Sequence, residues 1–292
     1  MKKTILLIAA VIAACTANAQ LLWKVTAPGS DKTSYIVGTH HIAPPDMMEK
    51  IAGLTQALEK VDKVLGEVDM TGKSQMEIQQ ASMAHMMAPA DSTLSKVFTA
   101  AQLDSISKVL DKYTGGMMPI AQMDILKPVA LGQTIALLQS QKAFPDFDPT
   151  QQLDTKIQAV AAAAGKPTGG LETIEYQMEL LFDSPISEQA ESLMETVRND
   201  SVAIVDSQRL ADAYVAADLD EIYKMLTEGS SALDEDALNR LLLNRNADWA
   251  EKLKLILPKE SVLVAVGCGH LPGDKGLLEL LRKKGFTVTP VK

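Results

Sequence analysis

The stretch VLVAVGCGHLPGD, from Val262 to Asp274, decides the fold class. Its first half is a fully apolar run, which is typical of a central strand buried on both faces of a sheet. The run ends at a glycine, and His270 stands three residues later. Near the other end of the chain, YIVGTHHIAPPD (Tyr35 to Asp46) repeats the arrangement with Gly38 and His41. Two strand–Gly–x–x–His corners far apart in the sequence predict two halves of one site.

Strand signals stand at both ends of the chain and helical periodicity fills the middle. The predicted strands are Leu21–Thr26, Ser34–Val37 ending at Gly38, Lys63–Met70, Thr168–Leu171 as a short strand or turn, Ser261–Gly267 and Phe286–Val291. The region from about Ser74 to Ser230 is predicted to be mostly helical. The sequence therefore predicts an α/β fold, in which strands from both ends of the chain form a mixed β-sheet and the large helical middle region is an insertion or cap.

Several helices can be bounded from apolar spacing and from turn residues. They are a helix opened by Pro44 and Pro45 that continues through Val61, one from about Thr173, helices within Ile186–Val215, one at Leu219–Leu226, one within Leu233–Leu257 and one within Gly273–Gly285. In the Leu233–Leu257 helix, Arg245 and Asn246 are expected near the middle.

Composition excludes some function classes. The chain has 292 residues, a formal net charge of −9 and 47% hydrophobic residues, which is a globular and acidic composition. A nucleic-acid-binding protein would need a basic face, so no nucleic acid is expected as a partner. The length suits one large domain.

The first residues have the features of a secretory signal. MKKTILLIAAVIAACTANAQ has two lysines, an apolar run and an Ala17-Asn18-Ala19 cleavage site. We expect residues 1–19 to be a signal peptide and residues 20–292 to be the exported domain, in the periplasm or cell envelope. An alternative is a lipobox ending at Cys15, and membrane attachment is expected only if Cys15 is lipidated. Without the signal only Cys268 remains, so no internal disulfide is expected.

Polar residues at predicted strand ends define a candidate site. A glycine after a strand permits a sharp turn with positive φ, and ligands bind at the carboxyl edge of such sheets. His41 and His270 would meet there if their strands are neighbours, and two imidazoles suit a transition metal. Glu67 and Glu172 are the best-placed carboxylates, with Asp69 as a reserve.

Arg245 could hold a substrate carboxylate or a developing oxyanion, since it is permanently charged and bidentate. Each residue also has a structural interpretation. In that interpretation each histidine is hydrogen-bonded to the backbone and has no other role. Glu67 then caps a helix, and Arg245 is the partner in an ion pair.

Five motifs together resemble the TraB/GumN family, which includes relatives of the Tiki metalloproteases. They are GTHH from Gly38, GEVD from Gly66, GGLET from Gly169, RN at Arg245, and AVGCGHLPGDKGLLELLRKKGFTV from Ala265. The resemblance covers essentially all of residues 20–292, and the last block is the most specific part. The wider superfamily is similar to erythromycin esterases and haem-binding ChaN proteins, which implies an α/β fold with a mixed sheet.

This resemblance implies a metal-dependent hydrolase, a peptidase acting on peptides or proteins. His41 and His270 would be the motif histidines, Glu67 and Glu172 the acidic partners, and Arg245 a further site residue. The implied cofactor is a divalent metal ion, with Mn or Co favoured, and Zn or Fe also compatible with the ligand types. Which glutamate binds the metal and which acts as base is open, and His40 falls on a variable position.

Two alternatives to a hydrolase remain open. The same cleft could hold haem or another ligand without turnover, as ChaN-like relatives imply. The chain could also be a signalling module that works through its helical middle. A homodimer is compatible with either.

Two further features invite chemical interpretations. Cys268, two residues before His270, could be imagined as a nucleophile, but a small strand-end residue is the better interpretation. His85 lies among methionines in MAHMMAP, which is compatible with copper(I), but a flexible helical face or pliable cleft is favoured.

Overall fold

The structure of the chain is a computed structural model that describes residues 20–44, 46–72, 74–148, 151–229 and 232–292. The predicted signal peptide, Cys15 and Pro45 lie outside the described residues. Six strands form one sheet: β1 (Leu22–Thr26), β2 (Thr33–Thr39), β3 (Lys63–Gly66), β4 (Thr168–Gly170), β5 (Val262–Gly267) and β6 (Thr287–Pro290).

The sheet is mixed, with the order β4-β3-β5-β2-β1-β6. Strands β4, β3, β5 and β2 run parallel to one another, whereas β1 pairs antiparallel with both β2 and β6. The apolar strand β5 lies between strands from the first half of the chain, and residues Val262 to Val266 are all buried. The predicted α/β fold, with a mixed sheet built from both ends of the chain, is confirmed.

Helices connect the strands of this sheet and form the middle region of the chain. They are α1 (Met47–Lys50), α2 (Leu54–Lys60), α3 (Gln75–Met86), α4 (Leu94–Val97), α5 (Ala100–Thr114), α6 (Pro128–Ser140), α7 (Leu153–Ala163), α8 (Ile174–Phe182), α9 (Ile186–Arg198), α10 (Asp200–Val215), α11 (Leu219–Thr227), α12 (Glu235–Leu238), α13 (Asn244–Ile256) and α14 (Leu277–Lys283). Helix α8 begins after Thr173, whose hydroxyl accepts a hydrogen bond from the Tyr176 amide, as the predicted start requires.

One predicted helix is interrupted. The segment expected to continue through Val61 divides into α1 and α2 at Gly53, which has φ of 77°. Apolar spacing continues across this break, so periodicity alone does not reveal it. The helices predicted within Ile186–Val215 are α9 and α10, which meet at Asn199.

The third strand is shorter than predicted. It ends at Gly66 and not at Met70, because the buried Gln158 of α7 bonds the backbone beyond it. The Gln158 side chain donates to Val68 O at 3.1 Å and accepts from the Met70 amide at 2.9 Å. Those backbone groups are therefore withdrawn from strand pairing.

The long C-terminal helix contains a π-helical segment, Asn239–Leu243, between α12 and α13. Arg245 and Asn246 therefore stand in the first turn of α13, directly after the segment. Both are buried, together with Trp249 and Leu253 on the same helix. Such π segments frequently accompany functional sites.

The molecule has more than one hydrophobic core. The principal core covers both faces of the sheet and includes Trp23, Trp249 and the residues of β5. A second core lies within the helical middle region, around Ile106, Leu131 and Ile135. The helical middle is thus packed in its own right. Among the residues that the structure describes, none of the helices is both long and apolar enough to cross a membrane.

Candidate functional site

The two Gly–x–x–His corners lie side by side at the carboxyl edge of the sheet. Strands β2 and β5 are parallel neighbours, with Gly38 opposite Val266 and Thr39 opposite Gly267. The glycines do not use positive φ as expected, since Gly38 lies within β2 and Gly267 has φ of −52°. Close approach explains Gly38, because a Cβ there would lie 2.9 Å from Leu271 Cδ1 and 3.1 Å from the Cys268 Cα.

The parallel pairing of β3 with β4 brings the two glutamates together. Beyond the paired strands, the Leu171 amide donates to Gly66 O at 3.0 Å and the Glu172 amide donates to Glu67 O at 2.9 Å. Glu67 and Glu172 thus leave the edge of the sheet from adjacent backbones. Both face Arg245 of α13.

Arg245 uses all five of its N–H groups on protein partners. Nε donates to Glu172 Oε2 at 3.1 Å, and Nη2 donates to Glu172 Oε1 and to Glu67 Oε2, both at 2.7 Å. Nη1 lies 2.8 Å from Leu241 O and 3.1 Å from His270 Nε2. The Arg245 side chain is 8% exposed. It therefore has no N–H group left for a substrate.

Three more groups fix the glutamates. Gln177 of α8 donates to Glu67 Oε2 at 2.9 Å and to Glu172 Oε1 at 3.1 Å. The Trp249 indole donates to Glu172 Oε2 at 3.2 Å and its ring lies under the guanidinium, 4.6 Å from the Arg245 Cζ. The Gly267 amide donates to Glu67 Oε1 at 2.8 Å.

His270 is buried in a defined orientation. Asn246 donates through Nδ2 to Lys275 O at 3.0 Å, which directs its Oδ1 to His270 Nδ1 at 2.7 Å. Nδ1 therefore carries the proton, and Nε2 accepts from Arg245 and lies 3.7 Å from Glu67 Oε1. Burial lowers the pKa of His270 to about 3, with Arg245 adding to the decrease, so the ring is neutral at pH 7.

Glu67 is held as a carboxylate. Burial acts to raise its pKa, but His270, Arg245, His41 and the Gly267 amide act against it, and the pKa lies below its usual value. Because His270 is itself neutral, Arg245 is the permanent charge in this set. The Glu67 side chain is 13% exposed, against 2% for Glu172, so Glu67 is the glutamate that borders open space.

His41 faces the same cleft from a different partner. Its Nδ1 lies 2.5 Å from Asp154 Oδ2 of α7, and its side chain is 64% exposed. The charge of Asp154, and its hydrogen bond, raise the pKa of His41 to about 9. No hydrogen bond joins the described His41 side chain to Glu67, Arg245 or His270. The structure therefore brings four of the five predicted residues into one cluster and leaves His41 at its margin.

A cleft of about 400 Å³ lies over this cluster. Glu67, Arg245, His270 and His41 supply the polar part of its lining. Apolar side chains from α6, α10, α11 and the π segment supply the apolar part. A smaller cavity of about 140 Å³ adjoins it, bordered by His41, Glu67 and Asp154. Glu67 and His41 line both spaces.

The metal site expected from the resemblance is not assembled among these residues. Within the described chain, no three His, Cys, Asp or Glu side chains stand together in a way that could hold an ion. The guanidinium of Arg245 lies between Glu67, Glu172 and His270, where it makes the contacts that a cation would make. His41 and His270 are suitable ligands in type, but the present arrangement does not fit a metal.

Other predicted candidates have structural roles. Asp69, the reserve carboxylate, accepts from the Thr71 and Gly72 amides at 3.0 and 3.2 Å and so closes a turn. Cys268 is buried, and burial raises the pKa of its thiol to about 12, which is unfavourable for a nucleophile. His85 pairs with Asp183 at 3.0 Å, on the face where α3 packs against α8.

His40 packs into the interior. Its ring lies 5.4 Å from that of Phe144 and 5.3 Å from that of Tyr214. Burial lowers the pKa of His40 to about 4, with the charge on His41 adding to the decrease. The two adjacent histidines therefore differ in role: one is a packed aromatic ring and the other faces the cleft.

Sequence reasoning missed four residues that contact the predicted ones. They are Asp154, Gln177, Asn246 and Trp249. Asn246 follows Arg245 in the quoted RN motif, so its sequence position was a usable signal. Asp154 and Gln177 come from helices α7 and α8, whose approach to the sheet edge depends on tertiary packing.

A sequence model described as the TraB/PrgY/gumN family matches residues 21–290. Comparison with curated proteins found no match, and comparison with solved structures found none.

Proposed function

The chain belongs to the TraB/PrgY/gumN family, and on that premise we propose that it is a hydrolase of the cell envelope, a peptidase acting on peptides or proteins. The observation that carries the proposal is the ionised Glu67 carboxylate at the border of the 400 Å³ cleft, beside a buried neutral His270. Strongly perturbed titratable groups in a cleft are characteristic of catalytic sites. Export to the periplasm or envelope is proposed from the N-terminal signal alone.

Glu67 is the better candidate for the general base. It borders both cavities, and a carboxylate there can take a proton from a water molecule and return it to a leaving amine. Glu172 is enclosed by Arg245, Trp249 and Gln177, so we assign it to holding the cluster together.

Arg245 is better suited to positioning than to the oxyanion role considered from sequence. All its N–H groups are used within the protein, so it can orient Glu67 but has none to offer a substrate oxygen. His41, exposed and charged through Asp154, has the free ring nitrogen that could donate there instead.

A divalent ion, Mn or Co with Zn or Fe as alternatives, enters this proposal through the family resemblance alone. When bound, such an ion supplies a polarised water molecule. The present arrangement of Arg245, Glu67 and Glu172 does not fit it, and the roles given above to Glu67, Arg245 and His41 do not require it.

The test is hydrolysis of a quenched-fluorescent peptide library by the purified protein. Glu67→Gln keeps the size of the side chain and one acceptor oxygen but removes the negative charge that takes the proton, so activity should fall by about 10²-fold or more. Asp69→Asn, in the turn outside the cleft, should retain full activity. Chelator treatment followed by addition of Mn, Co or Zn tests the metal separately. Undiminished hydrolysis by Glu67→Gln would exclude this site as the source of activity.

A second candidate is a non-catalytic binding protein for haem or another ligand. The lining of the cleft favours it, because the exposed imidazole of His41 and several apolar side chains border the same space. Adding haemin should then shift and sharpen its Soret band, and His41→Ala should remove that change. An unchanged haemin spectrum would exclude haem.

A further inference from the structure

Helices of the middle region and the π segment give the cleft an apolar wall beside the polar cluster. Six side chains form it: Ala136 and Leu137 of α6, Leu210 of α10, Ile222 and Leu226 of α11, and Leu242 of the π segment. They come from elements distant in sequence and converge on one space. This wall is not used in the hydrolysis steps described above.

The apolar wall reaches the second Gly–x–x–His corner. A Cβ at Gly269 would lie 3.0 Å from Leu226 Cδ1 and 4.0 Å from Leu242 Cδ2. Gly269 precedes His270, so the apolar and polar sides of the cleft meet within one residue of the cluster. Leu137, at the rim, remains 42% exposed. Leucines that line an open cleft next to charged groups are poised to gain contacts when an apolar group enters.

We propose that this wall is a subsite for a large apolar side chain, such as leucine or phenylalanine, of a bound peptide. The proposal rests on the hydrolase function above and names the class of substrate. A peptide alternates a polar amide and a side chain within one residue, which matches a cleft whose polar and apolar sides meet over the same distance. A fatty acyl chain would leave the Glu67 carboxylate facing hydrocarbon, which is unfavourable.

A substitution that fills the subsite tests it without changing the polar cluster. Ala136 lines the cleft on α6 and is exposed, so Ala136→Phe places a ring in the space and leaves the core intact. Ala101 is an exposed alanine of α5 that does not line the cleft. Ala101→Phe is therefore the matched control for folding and for added surface hydrophobicity.

Binding is measured by ligand-observed NMR titration of leucyl-leucinamide, seryl-serinamide and octanoate, which needs no turnover. We expect leucyl-leucinamide to bind at least about tenfold more tightly than seryl-serinamide, and Ala136→Phe but not Ala101→Phe to abolish that difference. Equal affinities for the two peptides, or binding of octanoate in preference to leucyl-leucinamide, would overturn the proposal. Loss of the preference for leucyl-leucinamide in Ala136→Phe and in Ala101→Phe alike would also overturn it.

Hydrolysis of leucine-containing and serine-containing peptides is followed on the same samples. Leucyl binding without any cleavage would contradict the peptidase function and leave the apolar subsite standing. Cleavage with no preference for apolar side chains would contradict the subsite and leave the peptidase standing.

Discussion

Arg245 shows how a single side chain can organise a site without touching a substrate. Its guanidinium lies between two carboxylates and over the Trp249 ring, and every N–H group has a partner. A buried ion pair adds little compared with a well-packed apolar pair, but it is costly to break from one side. Removing the charge would leave the carboxylates of Glu67 and Glu172 beside each other without the cation that they share.

Arg245→Met should therefore destabilise the protein by about 3–5 kcal/mol, because two buried carboxylates lose their shared cation. Urea unfolding followed by circular dichroism measures the free energy of unfolding. The control is Arg209→Met, which removes a pair with Glu221 whose side chains are 47% and 29% exposed. That loss should stay below about 1 kcal/mol. Equal losses in the two variants would show that the cluster is no more strongly coupled than a surface pair.

Asp154 should control the charge of His41. Its carboxylate is the main reason that the pKa of His41 is raised, so Asp154→Asn should bring that pKa back toward the usual value of about 6.5. NMR titration of the His41 ring protons measures this directly. The ring of His85, which contacts Asp183, is an internal reference that the substitution should leave unchanged. A His41 titration curve that does not move in Asp154→Asn would disprove the coupling.

The positions of several predicted residues follow from the strand ends that carry them. Glu67, Glu172 and His270 each follow a strand of the parallel part of the sheet, so their convergence at one edge could be foreseen. Asp154 could not be foreseen, because it reaches His41 from a helix whose position depends on packing. The central placement of Arg245, in the space considered for a metal, was likewise not visible from residue types.

At the scale of elements, β2 and the turn after β5 approach each other closely at the site. Gly38 lets the first corner approach the backbone of Cys268, and any Cβ there would force the two apart. The histidines are carried on these same corners. Their relative position is therefore set by a backbone contact.

Gly38→Ala should lower the melting temperature and weaken activity, because the added Cβ would lie 3.1 Å from the Cys268 Cα. Gly132→Ala is a matched control within α6, where the nearest neighbour is Leu193 Cδ1 at 3.8 Å. Alanine in a helix interior should instead stabilise by roughly 0.5–1 kcal/mol. Differential scanning fluorimetry of both variants checks the opposite signs. A Gly38→Ala protein as stable as the wild type would mean that the corners can separate freely.

Helices and strands were predicted correctly where their own sequence determines them, and less well where contacts with distant residues determine them. The continuous apolar run of β5 and the Thr173 cap of α8 are local signals, and both elements are where the sequence predicts them. The end of β3 at Gly66 depends on Gln158, which is distant in sequence. The π segment before Arg245 carries no composition signal of its own, so the helix was predicted as continuous.

At the scale of the whole molecule, the site lies where helices pack over the carboxyl edge of the sheet. Strand ends supply the polar cluster, and α6, α10, α11 and the π segment supply the apolar wall. Part of that wall belongs to the principal core, since Ile222 is a member of it and Leu210 and Leu226 pack against it. The cleft is therefore an opening at the border of the sheet's own core, with charged groups and apolar side chains in one lining.

The histidines of this site should give the whole molecule a stability maximum close to neutral pH. The pKa values of His40 and His270 are lowered to about 4 and about 3 in the folded chain. Below about pH 6.5 the unfolded chain binds protons at these rings and the folded chain does not, so stability falls on acidification, by up to about 1.4 kcal/mol per pH unit for each ring.

On the alkaline side the sign reverses for His41, whose raised pKa gives stability that is present below pH 6.5 and is lost as pH rises toward 9. That limb should be shallow, because the His41 side chain is 64% exposed and water screens its pair with Asp154. Melting temperatures measured from pH 4 to pH 9 test both limbs. His40→Gln should make the acidic limb less steep, because one of the two rings that only the unfolded chain protonates is then absent. A wild-type melting temperature that stays constant between pH 6.5 and pH 4.5 would contradict the assignment of both buried rings as neutral.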